Sequence, residues 1–215
     1  MKHLLIIILL NIIVSGCSEQ KVVGIDKVTN VNGQLYYKHD MTLVTALVKE
    51  WHENGQLKQE LNYKDGKKHG LAKAWNENGQ LTGEKKFIDD KKQGLAKNWH
   101  ENGQLKQELN YKDDEIEGEV KMWYKSGIPS GLSNYKAGKQ HGKLIMLWQN
   151  GRLQYEKNFK NGKADGLTSS WSEEGELEYE WIFKDGEKIG GTERDPSRKF
   201  RKKLENLMKQ KKGNK

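Results

Sequence analysis

A repeat of 24 residues runs through most of this sequence and limits what it can fold into. Residues 51–65 recur letter for letter as residues 99–113, two periods later. Two glycine series keep the same spacing: Gly55, Gly79, Gly103, Gly127, Gly151 and Gly175, and Gly70, Gly94, Gly118, Gly142, Gly166 and Gly190. A fixed period of this length indicates tandem units that pack on one another. Six units occupy roughly residues 46–190, after a degenerate half unit.

Each unit has the pattern of two short strands joined by a turn. In one unit, the segments 71–75 and 81–87 carry apolar residues at both ends and flank Asn78-Gly79. An Asn-Gly pair between two such runs predicts a hairpin with a type I′ turn, in which both central residues have positive φ. The connection from one hairpin to the next, which we call the return connection, also contains glycines such as Gly66, and these allow a second turn. The sequence therefore predicts an all-β fold, an elongated antiparallel meander of about thirteen strands. A parallel β-solenoid is the open alternative.

The period also predicts which side chains share a face. Because the period is even and side chains alternate along a strand, equivalent positions keep their parity in every unit. The large apolar residues are mostly odd-numbered, whereas even positions of the second strands, such as Lys58 and Glu60, are polar. This pattern predicts one apolar face and one polar face that is exposed to solvent. The candidate interaction surface consists of Trp51, Tyr63, Trp75, Phe87, Trp99, Tyr111, Trp123, Tyr135, Trp148 and Trp171.

The aromatic rows have two interpretations, a hydrophobic core or a surface that binds a peptide or a glycan. Only 34% of the chain is hydrophobic and 32% is charged, which excludes a polytopic membrane protein and suits a sheet with one apolar face. A single sheet cannot bury that face by itself. Curling of the sheet, a second copy, a partner or the chain's own tail must therefore cover it, and apolar area left exposed would mark an interaction site.

The histidines are the first candidates for catalysis or metal binding. His52 and His100 occupy equivalent positions of the repeat, which we call the same slot, and lie two units apart. About four strand spacings of ~4.8 Å therefore separate them in a flat meander. His69 and His141 share another slot and lie farther apart. No glycine-rich phosphate loop precedes a helix, and no Ser-His-Asp grouping stands outside the repeat. The sequence therefore predicts a protein that is not an enzyme and needs no cofactor and no metal.

The amino terminus has the pattern of an export signal. Lys2 precedes an apolar stretch at residues 4–14, too short for the ~20 residues of a membrane-spanning helix. The following Val14-Ser15-Gly16-Cys17 resembles the lipobox of bacterial lipoproteins, which implies removal of residues 1–16 and attachment of acyl chains, such as palmitate, to Cys17. This resemblance implies a lipid anchor at the bacterial cell envelope, at the outer membrane in a Gram-negative host. Residues 17–30 are predicted to be a polar tether.

The carboxyl terminus, residues 191–215, departs from the repeat. Asp195-Pro196 is a typical helix start, and an apolar stripe follows at helical spacing. Residues 192–215 carry ten basic and three acidic residues, so most of the formal charge of +8 lies here. The sequence predicts a short basic amphipathic helix that caps the last hairpin or contacts anionic lipid. The candidate membrane contacts are Arg198, Lys199, Arg201, Lys202 and Lys203. The export signal disfavours nucleic acid as a partner.

The unit W-x-E-N-G-Q-L-K-x-E-x-x-Y-K-D-G-K-x-H-G resembles the MORN repeat variant, which occurs in tandem in bacterial proteins of the YwqK-type antitoxin family. The resemblance spans about residues 31–190 and implies a curved sheet of hairpins that associates with proteins or membranes. Departures are Asp90 and Asp114 at a turn glycine, Leu147 at a tryptophan, and Ile128-Pro129, which predicts a weak or bent strand in the fourth unit.

Together these features predict a lipid-anchored, non-enzymatic protein-interaction platform. One form of this role is antitoxin-like or immunity-like, directed at a toxin that acts on the envelope. The alternative is a module that binds cell-wall glycan or lipid head groups through Trp and Tyr. The identity of the partner, the oligomeric state and the membrane face stay open at this point.

Overall fold

The computed structural model describes residues 20–193. The predicted signal peptide, Cys17 and the predicted basic helix with its candidate membrane contacts lie outside the described residues. The first part contains β1 (Val22–Gly24), a 3-10 turn (Ile25–Lys27), β2 (Val28–Val31), β3 (Gln34–Tyr37), β4 (Ala46–Trp51), β5 (Leu57–Lys64), β6 (Lys67–Trp75), β7 (Leu81–Ile88), β8 (Lys91–Lys92) and β9 (Gly94–Trp99). The second part contains β10 (Leu105–Lys112), β11 (Glu115–Ile116), β12 (Gly118–Trp123), β13 (Pro129–Lys136), β14 (Lys139–Leu147), β15 (Leu153–Lys160), β16 (Lys163–Trp171), β17 (Leu177–Lys184) and β18 (Glu187–Glu193).

One long sheet contains sixteen of these strands. From β4 to β18, apart from the short strands β8 and β11, strands that follow one another along the chain are neighbours in the sheet, and their pairing is antiparallel. The short strand β8 pairs with β7, the same strand that β9 pairs with. In the same way, β11 pairs with β10, as β12 does. The predicted all-β meander of tandem hairpins is therefore confirmed, and the solenoid is excluded.

The chain before the first unit covers the beginning of the sheet. Strand β1 pairs in parallel with β4, and the hairpin β2–β3 forms a separate two-stranded sheet. The two sheets share a cluster of buried residues: Val28, Leu35, Tyr37, Val44, Ala46 and Val48. Part of the segment predicted to be a tether, from Val22 onward, is thus structured. The degenerate half unit is an amino-terminal cap rather than another pair of strands in the meander.

The turn at the Asn-Gly pair is not of the predicted type. At the Asn-Gly turn, His52 donates its backbone N–H to the Gln56 carbonyl, so three residues rather than two lie between the bonded strand ends. Gly55 then has φ +83° and follows a type I turn as a bulge. The type I′ geometry lies at the return connection, where Asp65 and Gly66 have φ +50° and +76° between paired Lys64 and Lys67. The assignment of type I′ turns to the Asn-Gly pairs was wrong because it overlooked this third loop residue.

Two departures from the repeat are accommodated without loss of a strand. Asp90 and Asp114 take the positive φ of the missing glycines, at +70° and +72°, and each carboxylate accepts a backbone N–H from the preceding unit. Aspartate tolerates this region better than most residues. Pro129 is the first residue of the eight-residue strand β13 and stands opposite Trp123. The prediction of a weak or bent strand was wrong, because a first-position proline leaves the rest of the ladder intact.

The register of the strands decides which residues share a face. Leu61 stands opposite Ala72, and Ala72 opposite Lys85. Opposed side chains project from the same face, so even-numbered residues of the first strands share a face with odd-numbered residues of the second strands. We call it the core face, because Ala96, Leu109 and Val120 form its buried cluster. The prediction that odd-numbered residues share a single face was wrong, because each hairpin pairs residues of opposite parity.

Candidate functional site

The predicted site histidines connect neighbouring units. The Nε2 atoms of His52 and His100 lie 3.0 and 2.9 Å from the carbonyl oxygens of Trp75 and Trp123 in the next unit. In the same slot of a later unit, Trp148 donates its indole N–H to the Trp171 carbonyl over 2.9 Å. These side chains hold successive hairpins together at the end of the sheet that carries the Asn-Gly turns.

Two other histidines have a comparable place at the opposite end of the sheet. His69 Nδ1 lies 3.2 Å from Asp89 Oδ1, and His141 Nδ1 lies 3.3 Å from Asn161 Oδ1. Each contact joins a first strand to the return turn of the next unit. Within residues 20–193, no three metal-ligating side chains come together. The histidines of the repeat are therefore assigned structural contacts between units.

The candidate aromatic surface is divided between the two faces. Tyr63, Phe87, Tyr111 and Tyr135 lie on the core face, where Phe87 is buried. The row that begins with Trp51 projects from the opposite face, because each of its members follows a core-face residue directly along the strand. This row consists of Trp51, Trp75, Trp99, Trp123 and Trp171. The ten predicted residues thus do not form one continuous surface.

The face opposite the core face carries a line of alternating charge that the sequence interpretation missed, and we call it the ladder face. Lys49 pairs with Glu60 at 2.8 Å, and the equivalent pairs in the next two units measure 3.6 and 3.4 Å. Across the sheet, directly opposed residues of successive strands follow the order Lys49, Glu60, Lys73, Glu84, Lys97, Glu108, Lys121, Leu132, Ile145, Glu156, Ser169 and Glu180. Each of the first three glutamates therefore has lysines on both sides.

The ladder has one apolar interruption, at Leu132 and Ile145. These two residues stand directly opposite each other, at slots that hold glutamate and lysine in the earlier units. A surface cavity of about 350 Å³ lies there, and its lining includes Trp123, Leu147 and Pro129. We call this area the apolar break. A comparison of the units at fixed spacing would have detected both substitutions, but only the register shows that they are adjacent.

A second cavity, of about 240 Å³, lies on the core face between β5 and β10. Its lining includes Lys68, Lys85 and Phe87. Burial, together with the charges of Lys92 and Lys68, lowers the pKa of Lys85, although much of its side chain is exposed. The sequence interpretation did not single out these lysines, because even a strict repeat does not show which faces its charges share.

The fold and these surfaces define a class of protein, a tandem β-hairpin repeat whose repeated polar residues stabilise the sheet. The model of the MORN repeat variant family matches residues 45–65, 68–89, 92–113, 116–137 and 140–161. The chain belongs to this family, whose repeats are non-catalytic modules that generally interact with proteins or membranes. A comparison with curated proteins found no match. No helix among residues 20–193 has the length and apolar character needed to cross a membrane.

Proposed function

We propose that this protein is a lipid-anchored, non-enzymatic interaction platform at the bacterial cell envelope, and that the apolar break binds a protein partner. The supporting observation is the adjacent pair Leu132 and Ile145 within a ladder that is otherwise mostly charged. An apolar patch rimmed by charged residues is typical of a protein interaction site. Trp123 beside the cavity supplies the kind of side chain that dominates binding energy in such sites.

The anchor is proposed from the amino-terminal sequence. Cleavage before Cys17 would leave residues 17–21 to join the lipid to β1, followed by the amino-terminal cap, the repeats up to β18 and the basic segment. Two or three acyl chains, at about 0.8 kcal/mol per buried CH₂, give a stable anchor. The basic segment would add an electrostatic contact with anionic lipid, in the outer membrane where the host is Gram-negative.

Replacement of Cys17 by serine tests this anchor. The Cys17→Ser protein should fail to incorporate labelled palmitate and should leave the membrane fraction, because acylation requires the thiol. Labelling and fractionation of whole cells are the measurements. Unchanged palmitate labelling of the variant would overturn the proposed anchor.

An immunity role is the form of this function that fits an exported protein. A toxin confined to the cytoplasm would not meet a protein exposed on the envelope, whereas a toxin acting at the envelope would. Binding at the apolar break would then neutralise the toxin by occupying its surface. The second candidate function, binding of wall glycan or lipid head groups, is favoured by the tryptophan row on the ladder face, where Trp51 is 47% exposed.

The double replacement Leu132→Glu and Ile145→Lys tests the apolar break. It continues the ladder with the two residues used in earlier units, so the fold should be retained while partner binding falls by about tenfold or more. The measurement is recovery of a stoichiometric protein partner from detergent-solubilised envelopes by the tagged full-length protein. The matched control is Glu60→Gln with Lys73→Gln, which neutralises two opposed charges three units earlier without opposing like charges and should leave binding unchanged.

The same experiment separates the two candidate functions. Equal recovery by the double variant and the unmodified protein would overturn the apolar break as the binding site. Retention of the protein on isolated peptidoglycan or on lipid-coated beads, with no protein partner recovered, would favour the glycan or lipid function instead.

A further inference from the structure

Small residues create the cavity on the core face. Ala74 stands opposite Gly83, and Gly83 stands opposite Asn98. The slot of Gly83 holds glutamine in the units before and after it, Gln59 and Gln107. A Cβ atom added to Gly83 would meet only Asn98 Oδ1, at an ordinary contact distance of 3.5 Å. The cavity therefore exists because the side chain of this slot is missing in the second unit.

Lys68 and Lys85 line this cavity, and Lys92 lies beside it. The Nζ atoms of Lys68 and Lys85 lie 5.4 and 5.7 Å from the centre of the Phe87 ring. Lys92 Nζ lies 4.9 Å from the centre of the Tyr111 ring, which also lines the cavity. Aromatic faces attract cations, so these contacts hold three ammonium groups near one another despite their mutual repulsion. The lowered pKa of Lys85 is consistent with that crowding.

The nearby carboxylates are engaged elsewhere, and those of Asp90 and Asp114 accept the backbone N–H groups of Lys68 and Lys92. Glu84 contributes to the cavity lining, but its carboxylate pairs with Lys73 at 3.6 Å on the ladder face. Glu50, on the core face next to Gln59, accepts hydrogen bonds from Lys58 and from that glutamine. Among residues 20–193, no carboxylate lies within 4.0 Å of the ammonium groups of the three cavity lysines. The described part of the chain thus leaves this positive charge without an ion-pair partner.

We infer that this cavity binds a side-chain carboxylate from an acidic segment of a protein partner, an inference that rests on the proposed interaction function. The ammonium groups supply charge, and the amides of Gln59 and Asn98 lie in the same lining. Leu61 and Ala72 give an apolar floor for the methylene groups of a glutamate or aspartate. A phosphate group would leave several oxygens against that floor without donors. The chain's own residues 192–215 carry ten basic and three acidic residues and are repelled.

Binding of a defined acidic peptide tests this assignment. The probe is a dye-labelled decapeptide of alternating glutamate and leucine, and the measurement is fluorescence anisotropy with the full-length protein at low salt. Replacement of Lys68, Lys85 and Lys92 by glutamine should weaken binding about tenfold, because three ion pairs are lost. The control replaces three exposed lysines at strand ends, Lys64, Lys112 and Lys136, by glutamine and removes the same charge. It should change the affinity less than twofold if binding is local.

A second pair of variants separates the cavity from its charge. Gly83→Gln introduces the side chain that neighbouring units carry and should weaken peptide binding as much as the lysine variant does. Gly83→Ala leaves most of the cavity open and should retain binding. Equal weakening by both lysine variants, or full binding by Gly83→Gln, would overturn the site.

Other ligands give distinct results. Competition by millimolar inorganic phosphate, or binding to phosphatidylglycerol vesicles that the three cavity replacements abolish, would overturn the peptide assignment in favour of a phosphate group. Self-association of the protein that the same replacements abolish would overturn it in favour of a second copy. If the envelope partner is recovered equally by the lysine variant, the carboxylate site fails while the interaction platform stands. If no protein partner is recovered by any variant, the platform itself fails.

Discussion

Replacement of Leu109 by alanine is expected to lower the free energy of unfolding by about 2–4 kcal/mol. Leu109 is only 3% exposed and forms the centre of the core-face cluster with Ala96 and Val120. A smaller side chain would leave a cavity that neighbours on a hydrogen-bonded sheet cannot close. Urea unfolding followed by tryptophan fluorescence is the measurement, with the midpoint and slope compared between variants.

Leu95→Ala is the matched control for this prediction. Leu95 stands opposite Asn110, next to Leu109 along the partner strand, but it projects from the ladder face and is 47% exposed. Its replacement should change the free energy of unfolding by no more than about 0.5 kcal/mol. Comparable losses in both variants would contradict the assignment of faces, because odd-numbered leucines would then be equally buried.

The meander could be predicted because its evidence is local and repeated. The spacing of glycines such as Gly55 and Gly79 marks every turn, and the residues between successive turns are too few for anything except short strands. Tandem repeats pack mainly against their nearest neighbours, so one unit interpreted correctly gives the whole sheet. The matched family positions describe five of these units.

The faces were assigned wrongly because parity was carried from one unit to the next but not across a hairpin. A two-residue loop already pairs residues of opposite parity, and the observed three-residue loop gives the same pairing, Glu50 with Gln59, because a bulge beside Trp51 offsets the extra loop residue. Leu71 and Leu95 were therefore grouped with Leu109, although both are exposed on the ladder face. The charge ladder was missed for the same reason, since Lys73 and Glu84 are neighbours only when the register is known.

The degenerate half unit shows a different limit of repeat analysis. Leu35 follows an Asn-Gly pair, as Leu57 does, but the spacing between them is shorter than the period. The hairpin that contains Leu35 leaves the meander and buries its apolar residues against Val44 and Val48. A terminal repeat has no neighbour on one side, so a divergent unit is suited to covering the exposed end of the core.

Gly66→Ala is expected to disrupt the contact between this cap and the sheet. Gly66 has φ +76°, and an added Cβ would lie 2.7 Å from Leu43 Cδ2 and 3.0 Å from the Leu35 carbonyl oxygen. The Gly66 carbonyl accepts the Leu35 N–H over 2.8 Å, so the backbone cannot retreat without loss of that bond. The combined cost of left-handed φ and overpacking is about 2–4 kcal/mol.

Gly162→Ala separates the cap contact from backbone strain. Gly162 occupies the same turn slot with φ +82°, but an added Cβ would approach only Lys139 Cβ, at 3.8 Å. Its replacement should cost only the left-handed conformation, about 1–2 kcal/mol. Hydrogen exchange gives the local measurement: the Leu35 amide should lose protection in Gly66→Ala and keep it in Gly162→Ala. Equal protection in the two variants would mean that the hairpin β2–β3 does not depend on close approach to the first return turn, and that the cap is held by its buried side chains alone.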